Sequence, residues 1–337
     1  MTLNAIDEAT ISLVIPSYNR AQLIGETIDA ALCQTRPFAE ILVIDDGSTD
    51  NSLDELEKFA GCIRVMSTAN QGVQAARNAG AMAARGRYLA FCDSDDILEP
   101  GFAQTFALAL EAVPQLDIFY CNFVEFGPLA DRRDRFSLAP PGYFDGACDS
   151  AGLLTDIPDL YLRSAMFQTL YASGMTVRKA FFDRLGGFDP AFRGVGSEDW
   201  EFTLRAISQG RHVVCRRALA RVRKHPANQS RDSLRQFSGE ARVLEHGLRH
   251  HPGAGKYRDA IEDAIQNRRL HSFNLAFARG NFPLARELAR GLPRVPHGFN
   301  FRLKYMIASL PGFFRTPLWR LSQQKFVRSD RHNREAA

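Results

Sequence analysis

The 337-residue chain contains no run of eighteen uncharged apolar residues, so no segment has the length needed to span a membrane. Its six cysteines (Cys33, Cys62, Cys92, Cys121, Cys148 and Cys215) form no Cys-x-x-Cys pair and keep no histidine at zinc spacing. They read as reduced, mostly buried thiols suited to the cytosol. Met1-Thr2-Leu3-Asn4 has no basic stretch ahead of an apolar core, so no signal peptide is expected. The net charge of +4 is too small to mark a general polyanion binder. Nucleotide fingerprints are missing too. The turn after the first strand is Pro16-Ser17-Tyr18-Asn19 and not Gly-x-Gly-x-x-Gly, which argues against a dinucleotide-dependent oxidoreductase. No Gly-x-x-x-x-Gly-Lys-Ser/Thr occurs, nor the glycine-rich, lysine-containing start of a nucleotidyltransferase. No Ser/His/Asp or Cys/His constellation stands out for covalent catalysis.

What is present is an apolar fraction of 45%, ordinary for a chain with a sizeable core. Ile11–Pro16, Glu40–Ile44, Cys62–Met66 and Tyr88–Cys92 have the length and branching of buried strands. Helical stretches separate them. The first carries Ile24, Ile28, Ala31 and Leu32 on one face. The second opens with Ser52 and Glu55 at capping-box spacing. The third starts at Asn70-Gln71-Gly72 and carries a stripe of small residues, Val73, Ala76, Ala79, Gly80 and Ala83, fit to lie close on a sheet. Strand alternating with helix predicts an α/β domain with a mostly parallel sheet covered on both faces. Ligands bind such sheets at the carboxyl ends of their strands.

Tyr18, Asp46 and Asn70 fall at those ends. So does Asp93-Ser94-Asp95-Asp96, three carboxylates in four positions at the close of the fourth strand. Bunched carboxylates repel and resist losing water. A hard divalent cation such as Mg²⁺ or Mn²⁺, sharing its shell with a diphosphate, satisfies such a cluster; the bland alternative is a solvated helix cap.

Further along, a helix is expected from Leu98 to about Ala112 and strands at Asp117–Val124, Thr176–Phe182 and Arg211–Cys215. The aperiodic stretch from Gly127 to Tyr171 reads as a binding loop or lid. Glu198-Asp199 opens a helix, where carboxylates are also simple electrostatic caps. Asn274 to Leu292 reads as two helices joined at Gly280-Asn281. The tail from Phe299 to Arg334 mixes aromatic and basic residues, which suits either a packed helix or contact with anionic lipid. Ser329 to Ala337 reads as a frayed end.

Taken in order, these segments resemble family 2 glycosyltransferases of the GT-A fold. The matching elements are Val14–Asn19, Val43–Asp50, Asn70-Gln71-Gly72 with Ala75–Gly80, Gly86-Arg87-Tyr88 ahead of Asp93–Asp96, Gly186–Asp189 and Glu198-Asp199. They cover about residues 10 to 230. The resemblance implies a Rossmann-like GT-A catalytic domain over 1–235, with a donor half at about 10–115 and an acceptor half at about 116–235. Beyond it no comparable resemblance applies, and the residue pattern alone predicts a helical region over 236–328 and a disordered tail over 329–337. The resemblance implies a sugar-nucleotide donor, a UDP-sugar first, bound by Pro16, Tyr18, Asn19, Asp46, Asn70, Gly72, Arg77, Asn78, Asp93 and Ser94. Mn²⁺ or Mg²⁺ would be held by Asp95, Asp93 and His225, with Asp96 a neighbouring alternative. Asp199 would act as general base beside Glu198 in an inverting hexosyl transfer. The acceptor would be a glycan or lipid-linked saccharide in polysaccharide synthesis. The location would be the cytoplasm, with peripheral contact on an anionic membrane. The competing reading is a non-catalytic sugar-nucleotide or glycan-binding module.

Overall fold

The computed structural model describes residues 10–226, 228 and 232–322. The end of the basic tail and the expected frayed terminus lie outside them. Two compact units form, one within 1–228 and 246–257, the other within 229–245 and 258–337.

The first unit begins with β1 (Ile11–Ser17), α1 (Ile24–Leu32), β2 (Glu40–Asp45), α2 (Ser52–Glu57), β3 (Arg64–Ser67), α3 (Val73–Ala83) and β4 (Tyr88–Phe91). β1 lies between β2 and β4 and runs parallel to both, and β3 extends the sheet beyond β2 in the same sense. Every residue of β1 is buried, Ser12 and Ser17 included, as a strand covered on both faces requires. Pro16 sits past the last β4 partner, the Val14–Phe91 pair, so its missing N–H interrupts no ladder on that side. α3 approaches the sheet closely because Gly80 has no side chain: a Cβ there would stand 2.4 Å from Val14 Cγ1 and 3.0 Å from Ile44 Cγ1.

β5 (Ile97–Leu98) and α4 (Phe102–Ala112) precede β6 (Ile118–Phe126). Then come β7 (Cys148–Ser150), β8 (Leu153–Thr155), α5 (Leu160–Met166), β9 (Met175–Arg178), α6 (Lys179–Leu185), α7 (Glu198–Ile207) and β10 (His212–Arg223). The sheet order is β3-β2-β1-β4-β9-β6-β10-β8-β7, with β5 on β10. β9 is antiparallel to both β4 and β6 and so joins the parallel half to the mixed half. Phe102, Phe106 and Phe119 fill one face of this junction. On the other, Phe188 meets Phe202 at 4.6 Å and Phe91 at 5.4 Å between ring centroids.

α8 (Ser233–His250), α9 (Arg258–Ala278), α10 (Phe282–Arg290) and α11 (Phe299–Ser309) follow. The second unit has its own core of Phe273, Phe277, Phe282, Phe301 and Ile307. Gly280 takes a positive φ of 71° at the α9–α10 turn, and Asn281 caps α10 by accepting from Leu284 N.

Several expectations are corrected. Lys179–Phe182 is helix, since β9 ends at Arg178. Ser52 caps nothing: its hydroxyl donates to Asp50 at 2.5 Å and accepts from Arg20 N at 2.8 Å. Leu32 is 42% exposed, at the solvent edge of its helix. The buried face of α3 runs through Gln74, Ala76, Arg77, Gly80 and Ala81, leaving Val73, Ala79 and Ala83 half-buried. Gly127–Tyr171 holds β7, β8 and α5. Cys33, Cys62 and Cys148 are exposed, so only half the thiols are buried.

Candidate active site

The carboxyl ends of β1, β2 and β4 place three loops side by side. Asn19, at φ 52°, ties the first two: its N–H donates to Ser48 Oγ at 2.9 Å, and its Oδ1 accepts from Thr49 N at 2.8 Å. Asp46 ties the second to the start of α3, accepting from Gln71 N at 2.9 Å and Gly72 N at 2.7 Å. Gly72, at φ 95°, packs on the side chain of Arg193, which donates to Asn70 O at 3.1 Å. Here Asp46 and Asn19 organise loops. Tyr18 stands open, 42% exposed, at the lip of β1, and Pro16 is buried behind it.

Two charged groups meet across this edge. In the first, buried Arg77 donates from Nη2 to Asp93 Oδ1 at 2.6 Å, and its guanidinium lies over the Phe188 ring at 5.2 Å. Burial disfavours its charge, but Asp93, Asp199 and Glu198 together outweigh that and hold it protonated above its usual range. Nε and Nη1 of Arg77 have no hydrogen-bond partner among the described residues. Burial and the Glu198 carboxylate push Asp199 up to about 6, against the pull of Arg77. Both acids stand in the first turn of α7, after Ser197 at φ 59°.

In the second group Asp95 Oδ2 lies 3.0 Å from His225 Nε2 and 3.5 Å from Arg20 Nε. Asp93 stays with Arg77, and among the described residues Asp93, Asp95 and His225 do not bring three ligand atoms within 4.8 Å of one another. Asp96 points elsewhere, accepting from Ser173 Oγ at 2.6 Å and Arg223 N at 2.9 Å. Burial and the neighbouring Asp95 and Asp93 raise its pKa well above the carboxylate range. It ties the turn after β4 to Ser173 and to Arg223 of β10.

Residues 172 and 173 link the two acids of the first group: Ala172 N donates to Asp199 Oδ2 at 3.4 Å, and Asp93 N donates to Ser173 Oγ at 3.1 Å. Ser94 is buried between the two aspartates. Asn78 is spent on structure, its amide bracketing the Phe188 backbone at 2.8 and 2.9 Å. A Cβ on Gly187 would meet Asn78 Oδ1 at 2.6 Å.

Sequence reasoning missed Arg20, Ser173 and Arg193. Arg20 directly follows Ser17-Tyr18-Asn19, so a cation at a strand end was there to be noticed. Ser173 and Arg193 carry no local signal. Buried atoms of Ser17, Asp45, Gln74 and Arg77 also lack hydrogen-bond partners among the described residues. Buried polar groups are seldom left so, and these line the loop edge where a polar ligand would satisfy them.

Residues 12–156 match the family described as glycosyl transferase family 2, and residues 164–226 match the one described as N-terminal domain of galactosyltransferase. The chain is 37% identical over 134 residues to the uncharacterised glycosyltransferase EpsJ of Bacillus subtilis, a match covering 39% of this chain and 37% of EpsJ. It therefore spans little more than a third of that relative. Among solved structures, S. aureus TarS with UDP-GlcNAc superposes with TM-score 0.60 at 17% identity, over 89% of this chain and 79% of that one. The mannosyltransferase PcManGT of Pyrobaculum calidifontis, bound to GDP-Man and Mn²⁺, gives 0.54 at 17% identity, over 89% and 84%. At such identities the likeness is one of fold.

Proposed function

We propose, from the family 2 match over residues 12–156 and the shared GT-A fold, that the chain is a family 2 glycosyltransferase that moves a sugar from a nucleoside diphosphate to a hydroxyl of a glycan or lipid-linked glycan, inverting the anomeric carbon. The observation that carries this reading is the buried Arg77–Asp93 ion pair, under the electrostatic influence of Asp199 and Glu198, together with the Asp95–His225 pair.

Attack by a hydroxyl needs a base that is ionised near neutrality yet basic enough to take a proton. Asp199, at about 6, fits that demand. As the hydroxyl oxygen bonds to the anomeric carbon, its proton passes to Asp199 and the bond to the phosphate oxygen breaks. Arg77 fixes Asp93 and steadies the charge on Asp199, while Glu198 keeps Asp199 basic by repulsion. Tyr18 offers an exposed ring on which a base can stack. Arg20 adds a cation beside Asp95, where the diphosphate's negative charge would lie.

Asp95 Oδ2 and His225 Nε2, 3.0 Å apart, are a carboxylate and an imidazole suited to one divalent ion, and Mn²⁺ or Mg²⁺ fits them. Such an ion would stabilise the leaving diphosphate as a Lewis acid. With Asp93 turned to Arg77, the rest of its shell would come from the diphosphate and water. Cytoplasmic supply of nucleotide sugars suits the unpaired cysteines, and a UDP-sugar is the first donor to try.

The experiment is nucleotide release from a panel of UDP-, GDP- and dTDP-sugars with Mn²⁺ or Mg²⁺. One donor should be turned over, and a chelator should stop it. A panel in which no donor is bound or consumed would reject the proposal and favour a degenerate module.

A further inference from the structure

Acidic and basic residues nearly balance over the whole chain, 38 against 42, yet Leu288 to Ser329 holds eight Lys or Arg and no Asp or Glu. The described part of this run lies in the second unit. α11 sets Phe299, Arg302 and Met306 at spacings of three and four on one exposed face. Residues 312–322 are also helical. At about 100° per residue, Phe313, Phe314, Leu318 and Leu321 fall on one side of that helix and Trp319 on the other.

Trp319 anchors the helix: its Nε1 donates to Phe277 O at 2.8 Å and its ring lies 5.8 Å from Phe282. The opposite side is a second apolar face turned outward, with Phe313 85% and Phe314 59% exposed. Arg315 leans over the Phe282 ring at 4.5 Å. Among the described residues, none of Arg302, Arg315 and Arg320 lies within 4.0 Å of a carboxylate.

We propose that this surface docks the protein peripherally on an anionic membrane. The phenylalanine and leucine side chains enter the lipid interface, and the arginines pair with lipid phosphates. Separated apolar side chains flanked only by positive charge match a fluid, laterally uniform negative surface. Among the described residues no helix is long and apolar enough to cross a membrane, so the contact is one of lying on it. The proposal is independent of the sugar chemistry, and its test uses no activity.

Full-length protein is floated with vesicles of phosphatidylcholine alone, or with about a third phosphatidylglycerol. Partitioning should be at least about tenfold stronger on the anionic vesicles and should fall with added salt. The Phe313→Ser/Phe314→Ser protein should bind them at least about tenfold less, with an unchanged thermal midpoint because both rings are exposed. Equal binding to the two vesicle types, or undiminished flotation of the double variant, overturns the proposal. So does a lipid-free dimer in sedimentation that the double variant loses while no flotation is seen, which would assign the face to a second copy.

Discussion

Arg77 bonds Asp93 and has its charge favoured by Asp199 and Glu198, although 16 residues separate it from Asp93 and 122 from Asp199 in the chain. Arg77→Met removes the cation balancing three carboxylates. We expect the pKa of Asp199 to rise further and the rising limb of the pH–rate curve to move to higher pH. The stability loss should be about 1–3 kcal/mol, discounted because Asp93 is partly in solvent. Arg77→Lys should recover little of this, lacking the planar fork. In the parent, transfer should rise as pH passes through about 6, where Asp199 ionises. The sign for stability is opposite: the folded state holds the proton more tightly than the unfolded chain, so this group favours folding in acid and that contribution is lost as pH rises through about 6. Asp199→Asn should therefore lose about two to four powers of ten in transfer with no lower thermal midpoint above that pH. The residue types here were legible in the sequence, because strand ends and acid runs are local patterns. That Asp46 and Asn78 spend their side chains on backbone groups was not, because both partners lie far along the chain.

α7 does two jobs at once. Its first turn presents Glu198 and Asp199, and one turn on, fully buried Glu201 holds the helix in place. Arg205 grips both Glu201 oxygens at 2.8 Å, and His251 Nε2 lies 3.2 Å from Oε1. His251 Nδ1 in turn faces Tyr161 Oη at 3.0 Å. Burial alone would raise the Glu201 pKa, but these bonds bring it down to about 2. The stability it contributes is present above the unfolded value near 4.5 and is lost as pH falls through about 2. Glu201→Gln should cost about 3–5 kcal/mol at neutral pH by leaving Arg205 poorly matched, and should flatten the acid limb of a denaturation series. Gly80→Ala offers a contrasting check on α3. It should cost about 1–3 kcal/mol by pushing the helix off β1 and β2, read as a lower urea midpoint. Periodicity identified both helices. The α6 boundary and the Ser52 cap were misread because local propensity cannot see that Arg178 ends its strand pairing, or that Arg20 N claims the Ser52 hydroxyl.

At the scale of the molecule, alternating strands and helices made the parallel half readable as far as β4. The insertion of antiparallel β9 between β4 and β6 depends on pairings across more than fifty residues, which no local pattern encodes. The second unit had legible helices and no legible partner surface, since exposure is set by which face Trp319 claims. For the first unit, the proposed function gives its strand ends a division of labour: Asp95 with His225 for the diphosphate and its cation, Asp199 for the incoming hydroxyl. Calorimetric binding of a nucleoside diphosphate with Mn²⁺ to the parent, Asp95→Asn and Asp199→Asn proteins tests this most directly. Asp95→Asn should weaken cation-dependent binding by about tenfold or more, and Asp199→Asn should bind as the parent does. Undiminished cation-dependent binding by Asp95→Asn, or equal losses in both variants, would contradict it.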